Sequence, residues 1–500
     1  MPATDSPAII VAIFLKANNY IETLEIFLKE AGLPLDAGSA SKGDLTIEKI
    51  LEEKKTFDLS VSFEKLGKDD DEKGWRLPAP CVPTTVTTLP TSSNLLHVSV
   101  EKVLHSDTDG LDESEVRPLM LATTADRRLN VIVPPTLSYD VVTSHTHLHD
   151  SPILSCVMIA RRYLLSASMS GKVVLYDCKE GRVAAERRDH TKYVVKVASW
   201  EEPGGVWIAT AGWDAKVILY RLNWLTQESG AIDYHALHTP IASISVPTNP
   251  EAILFVQHPE DKNPILLLVR RDSTFLYYYA LPDPSNQTAL GAPLLLGRQN
   301  LAPHSNAWIA FTPSAIALCP TDPSLLAVAT SAVPHMKFII VRLLFPPLSS
   351  TSTGPHLSSD IPTAPVSLLD RQDPSLPTQA SQTRAALVVA DRENAAILIH
   401  CTTPSPQTAY STPALAWRPD GSGIWVNSDD GMVRGVETAT GKIVSTLNGH
   451  EPGSKVRCLW AGHVGIQGND DDEIRLEEWV VSGGFDQRLI VWRVPAATDG

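Results

Sequence analysis

The chain has 500 residues, which at roughly 100–200 per domain leaves room for two to four domains, or for one large repeat array with an appendage. Its 42 Lys and Arg against 57 Asp and Glu give a net charge of −15, a field that opposes general polyanion binding, and 43% apolar with 20% charged residues marks a globular chain. Apolar runs such as Ile265–Val269 fall far short of the roughly 18 residues a membrane span needs, and Asp5 with no basic residue before the first apolar stretch argues against a secretory signal.

The first elements in chain order are helical. Ser6-Pro7 supplies an N-cap and a proline at the first helical position, and Ile10, Ile13, Phe14 and Ala17 then recur on one helical face. Asn18-Asn19 breaks the pattern. A second helix is predicted from Tyr20, with Leu24, Phe27, Leu28 and Ala31 on one face and Gly32 and Pro34 as its stop. Two helices of this length cannot enclose a core, so the economical arrangement is self-association of two hairpins into a four-helix bundle. Phe14-Leu15, Tyr20, Thr23-Leu24, Phe27 and Glu30 resemble the LisH dimerisation motif, with Asn19 where that motif usually has glycine. The resemblance implies a homodimer held by Ile10, Ile13, Phe14, Tyr20, Leu24 and Phe27; the bland alternative is an amphipathic hairpin packed on its own chain. Leu45–Leu51 and Phe57–Phe63 suggest one more helix and a short extended segment, closing an N-terminal region over 1–66.

Residues 67–93 carry an acidic run, Asp69–Glu72, and four prolines among Ser and Thr, and so read as a linker, within which Trp75 is a side chain expected to dock. From 94 to 494 the chain repeats a hairpin grammar: small residues ending a strand, a tight turn, then an alternating strand closed by an aromatic. The clear copies are Tyr163–Asp177, Trp207–Tyr220 and Trp479–Trp492, with weaker ones in between. This grammar resembles the WD-repeat β-propeller family. In that family a His, a strand Ser or Thr, a turn Asp and a Trp form a structural hydrogen-bonded network. The resemblance places His450, Ser482, Asp486 and Trp492 in one such network, and His190, Thr210, Asp214 and Tyr220 in another. A third set, His149, Ser166 and Tyr176, has Ser170 where Asp is expected, and blades over about 235–345 rest on strand pattern alone. Inner strands are expected near residues 95, 153, 194, 251, 314, 413 and 455, which makes seven blades, with eight as the alternative. The fold class is therefore mainly β: a seven-bladed WD-repeat propeller preceded by a small helical LisH region. The Pro- and Ser-rich stretch 346–383 reads as a surface insertion, the 385–400 segment as outer-strand material, and the last blade should borrow its outer strand from 84–90 or 95–100.

No phosphate loop, dinucleotide fingerprint, zinc-protease motif or nucleophile elbow is present. Ser62-x-x-Lys65 matches a catalytic fragment by spacing alone, His145, His147, His149 and Asp150 lack a complementary ligand cluster, and Asp470–Glu473 lacks calcium-loop spacing. Neither a catalytic site nor a metal or cofactor site is expected. Six scattered cysteines, at 81, 156, 178, 319, 401 and 458, fit reduced thiols in an intracellular protein, cytoplasmic or nuclear, and the Asn286 sequon would then carry no glycan. Large apolar side chains at tight turns are the more informative feature: Trp213 and Phe485 precede the turn Asp, and Met169 takes the same slot in a third hairpin. The resemblance puts that slot on the upper rim, where a partner patch would form, with Tyr193 and Lys455, and with Lys192 and Arg457, at its edge. The expected function is a non-catalytic, dimeric protein-interaction scaffold, a subunit or adaptor of a multiprotein complex. A ubiquitin-ligase subunit and a corepressor component are the alternatives, and a propeller hydrolase is the enzyme reading, for which the inner strands offer few acids or histidines. Partners should be proteins, without membrane attachment and with nucleic acid opposed by the charge.

Overall fold

Helix α1, Pro7–Ala17, and helix α2, Ile21–Glu30, form the first elements. Asn19, between them, adopts a left-handed backbone with φ +61°, the conformation that asparagine tolerates best among residues with a Cβ, so it can occupy a turn position usually given to glycine. Gly32, at φ +63°, ends α2 in the same way, and the Leu33 N–H reaches back to the Leu28 carbonyl (2.9 Å) while the Leu33 side chain joins the cluster around Leu28.

The computed structural model describes residues 7–34, 36–39, 46–47, 74–105, 115–134, 139–226, 232–234, 237, 239–261, 263–282, 293–303, 311–347, 379–467 and 474–495. It falls into two units, 1–73 and 74–500. Within the first, the expected helix over 45–51, apart from Thr46 and Ile47, and the extended segment over 57–63 lie outside the described residues, as does Ser62-x-x-Lys65.

The second unit is a ring of seven antiparallel sheets. Their spans are 95–145, 153–187, 194–245, 250–300, 312–406 and 415–448, and a seventh combines 456–493 with Val82–Thr85. The inner strands begin at Leu95, Ile153, Val194, Pro250, Thr312, Leu415 and Val456, each touching the next and the last touching the first. The ring closes by pairing Val82–Thr85 with Leu489–Arg493, Pro83 opposite Trp492 and Thr84 opposite Val491. The borrowed strand thus begins two residues before the nearer of the two expected segments, and 95–105 serves instead as the inner strand of blade 1. Each sheet is apolar on both faces because both are covered by neighbouring blades: Tyr163–Ser168 and Gly205–Gly212 are buried at every position. Polar ties bridge the blades. Thr123 Oγ1 donates to the Ile153 carbonyl (2.9 Å), and Trp417 Nε1 donates to the Ala317 carbonyl (2.9 Å).

Two segments differ from their sequence reading. Residues 385–389 lie in helix α3, Gln379–Ala396, and only Ile397–Pro406 forms the outer strand of blade 5. A short apolar run such as Leu387-Val-Val389 does not distinguish strand from helix by itself. The alanines around it, with Arg392 and Glu393, favour helix. Residues 74–93, read as linker, belong to the propeller unit because Trp75 finds a seat. Its ring meets Trp425 edge-on with centroids 5.0 Å apart, covers the Arg418 guanidinium at 4.6 Å, and lies against Gly423 and Gly435, where no side chain stands in its way. The Trp75 N–H also donates to Glu437 (2.9 Å).

Candidate functional site

In the helical hairpin, Ala12, Leu24 and Leu28 form a small cluster with Leu15, Phe27 and Leu33 packed against it. Of the residues expected to pair two chains, Ile10, Ile13 and Leu24 are already buried within one chain, and Phe14 and Phe27 are half-buried. Tyr20, at 54% exposure, is open, as are two residues the sequence reading passed over, Ile21 (46%) and Ile26 (62%). Their signal was available: three large apolar side chains on or beside a short helix, off the face that packs on α1.

In the propeller, the side-chain networks sit where the turn between the second and third strands meets the loop entering the blade. In blade 7, His450 Nδ1 pairs with the Asp486 carboxylate (2.9 Å) and its Nε2 with Ser482 Oγ (2.9 Å), while Trp492 Nε1 donates to the same hydroxyl (2.9 Å). Burial works against the charge on Asp486, but His450 and the N–H groups of Glu451 and Arg488 outweigh it and hold the carboxyl below its ordinary range. Gly449 is small because a Cβ there would come within 2.7 Å of the Trp492 ring. In blade 3, His190 bridges Asp214 (2.9 Å) and Thr210 (2.9 Å) in the same manner. Tyr220, though, donates to Asp189 (3.0 Å). In blade 2, His149 Nε2 meets Ser166 (2.8 Å), yet its Nδ1 has no partner, since Ser170 is turned to Asp150 (2.5 Å). Burial lowers the His149 pKa to about 4, so it stays neutral there. The His145–Asp150 group is accordingly dispersed: His145 packs edge-on to Tyr176, His149 serves Ser166, and Asp150 pairs with Arg188. Among the described residues no three His, Cys, Asp or Glu side chains are grouped to hold a metal ion, and Asp470–Glu473 lies outside them.

The rim slot recurs through one backbone bond per blade. The N–H of Ala125, Met169, Trp213, Arg271 and Phe485 donates to the carbonyl of Asn94, Pro152, Tyr193, Asn249 and Lys455 respectively, at 2.8–3.0 Å. Tyr193 stacks on Trp213 with centroids 5.6 Å apart, and Arg271 covers the Trp213 ring from the next blade at 5.2 Å. Phe485, 42% exposed, and Lys455 adjoin on blade 7, where Lys455 pairs with Asp429 (3.0 Å) and Thr408 (2.8 Å). Met169, on blade 2, is separated from blade 7 by Ala125 of blade 1, so the expected rim residues form two groups rather than one patch. Sequence reasoning missed Arg271, whose blade lacked the family marks, and Tyr410, 90% exposed on the loop that carries Thr408. Lys192 is exposed at the entry to blade 3.

Arg457 belongs to a different setting, the axis. It stands at a bulge in the inner strand of blade 7, as Glu251 does in blade 4, and with His97 and Lys196 it forms a charged group at the start of the inner strands. Lys196 opens onto the axial space yet is ringed by protein. Enclosure first, then the charge of Arg457, lowers its pKa. Enclosure, then Lys196 and Arg457, takes His97 down to about 3, and enclosure raises Glu251 despite Arg271. The six cysteines are all free, and burial lifts the thiols of Cys156, Cys178, Cys401 and Cys458 well above their ordinary range, which keeps them protonated.

Comparison with known proteins places these features. No curated protein matches the chain in sequence. One similar solved structure is that of Saccharomyces cerevisiae Sqt1, at 11% identity and a TM-score of 0.48, covering 83% of this chain and 100% of that one. The profile of UCP007778, beta-propeller domain, matches residues 111–474, and that of UCP007778, LisH domain, matches 8–38. With both profiles met in order along one polypeptide, the chain belongs to the UCP007778 family of LisH-containing β-propeller proteins.

Proposed function

We propose that this protein is a non-catalytic scaffold that dimerises through its LisH hairpin and presents partner sites on the propeller rim, acting as an intracellular subunit or adaptor of a multiprotein complex. The observation that carries the reading is the pairing of two kinds of unsatisfied apolar surface: Tyr20, Ile21 and Ile26 on a hairpin too small to bury them, and the Tyr193–Trp213–Arg271 stack with Phe485 on the rim. Exposed aromatic and arginine side chains are the usual anchors of protein interfaces, and duplicating a rim by dimerisation raises avidity through effective concentration. The protonated thiols and the His–Asp pairs engaged in structural bonds leave these groups without nucleophilic work. Six free cysteines support a reducing compartment.

Two measurements test the proposal separately. Light scattering should give a dimer for the full chain and a folded monomer after deletion of residues 1–34; an unchanged dimer refutes the LisH role. Affinity purification with mass spectrometry should lose partners in Trp213→Ala plus Phe485→Ala, and retention of every partner refutes the rim role.

A further inference from the structure

Blade 4 carries a cavity of about 420 Å³ on the same rim, outward of Arg271. Its walls include Arg270, Phe275 and Tyr277 from the hairpin of that blade, Arg298 from the outer strand, and Phe311 from the loop entering blade 5. The Arg298 guanidinium lies over Phe275 at 4.5 Å, and that of Arg270 over Tyr277 at 5.1 Å. Lys337 stands over Phe311 at 5.7 Å. Arg270 donates only to neutral oxygens, Tyr277 Oη (2.7 Å) and Thr248 Oγ1 (2.8 Å). Among the described residues none of these three cations has an ion-pair partner. The acid nearest in influence to Arg298, Glu393, accepts from the Asn300 N–H (2.8 Å) and is buried. Several other arginines in this chain of net charge −15 are paired: Arg162 with Asp177, Arg271 with Glu251, Arg418 with Glu478, Arg434 with Asp430 and Arg493 with Glu477. Three cations without an ion-pair partner among the described residues, Arg270 and Arg298 lining the cavity and Lys337 laid on its Phe311 wall, make a recognition surface for anions.

We propose that this pocket takes carboxylate side chains of an extended, Asp- and Glu-rich segment of a partner protein, with its apolar side chains seated on Phe275 and Phe311. The spacing selects carboxylates. The two guanidiniums rest on separate rings whose centroids are 6.3 Å apart, and Lys337 lies over a third ring, an arrangement matched to single charges in a row rather than to one compact dianion. Asp272, also at the cavity edge, adds repulsion that a phosphate dianion would feel most. The pocket is continuous with the Arg271–Trp213 stack through the adjacent Arg270, so an extended ligand can run from one to the other. The inference deepens the scaffold reading by assigning a partner chemistry to a part of the rim distinct from Phe485 and Met169.

The test is selection of random dodecapeptides displayed on phage against the full-length protein, in parallel with Arg298→Glu. Arg298 is exposed and its side chain makes no hydrogen bond or ion pair among the described residues, so Arg298→Glu should keep the fold, as an unchanged circular dichroism spectrum would show. Peptides selected by the wild type should be enriched in Asp and Glu spaced by apolar residues, and the enrichment should vanish with Arg298→Glu. The strongest peptide, followed by fluorescence anisotropy, should weaken at least tenfold when its acids become Asn and Gln, and also when salt is raised. Absence of acidic enrichment, an unchanged selection by Arg298→Glu, or a phosphoserine version binding tenfold better than the aspartate version each overturns the proposal. Since the dimer measurement does not involve blade 4, failure here leaves the scaffold reading to stand or fall separately.

Discussion

Removing the Trp75 ring is the sharpest perturbation of the propeller. Full burial of a Trp is worth about 3–5 kcal/mol on truncation to Ala, and Trp75 is half-buried, so packing alone contributes about 2 kcal/mol. Its edge contact with Trp425 and its cover over Arg418 add about 1–2 kcal/mol together. Trp75→Ala should therefore cost about 3–4 kcal/mol in urea denaturation of the full chain. Arg418 itself should stay in place, since it keeps Glu478 (2.8 Å to each carboxylate oxygen) and the Ser422 hydroxyl (3.0 Å). A second variant isolates the contact. A Cβ at Gly423 collides with the Trp75 ring, so Gly423→Ala should expel the indole and cost about as much. With the indole gone, the next atom it meets is Arg418 Cδ at 3.2 Å, and the further cost should fall below about 1 kcal/mol. The double variant should thus resemble either single one. Strict additivity, or a Trp75→Ala loss under about 1 kcal/mol, refutes the seat.

The networks should rank by completeness. In blade 7, His450→Ala leaves the Asp486 carboxylate without the histidine that offsets its burial, and should cost about 3–5 kcal/mol by denaturant titration. His149→Ala, whose Nδ1 already lacks a partner, should cost less than half of that. Acid sensitivity should begin with the enclosed histidines His97 and His149, of which His97 is shifted further. His97, held near 3 when folded against 6.5 when free, stays neutral in the fold while the unfolded chain takes up a proton, so stability should fall as pH drops below 6.5, by up to about 1.4 kcal/mol per pH unit. Lys196 and Arg457 face this histidine, and His97→Gln should flatten the slope between pH 6 and 4; an unchanged slope removes His97 as its source. Below about pH 4 Asp486 should add to the loss, because its depressed carboxyl stabilises the fold only while ionised.

What the sequence determined by itself was whatever depends on short-range pattern. Alternation along the hairpins placed all seven inner strands within two residues of their starts, so the ring of seven was legible in the pattern. Pattern also located the LisH hairpin, and the spacing from His450 to Ser482 and Asp486 was legible because each group sits at a fixed step of one repeat. The tertiary structure decided what depends on which distant residues meet. Trp75 reads as part of a linker until blade 6 offers it two glycines and Trp425. The charged axis of His97, Lys196, Glu251 and Arg457 exists only because ring closure brings four inner strands around one space, and the arginine pocket of blade 4 only because Arg270, Arg298 and Phe311, on three separate segments, converge there. Periodicity is a property of consecutive residues and survives in the sequence; a charge without a counterion is a property of a neighbourhood, and the neighbourhood is made by folding.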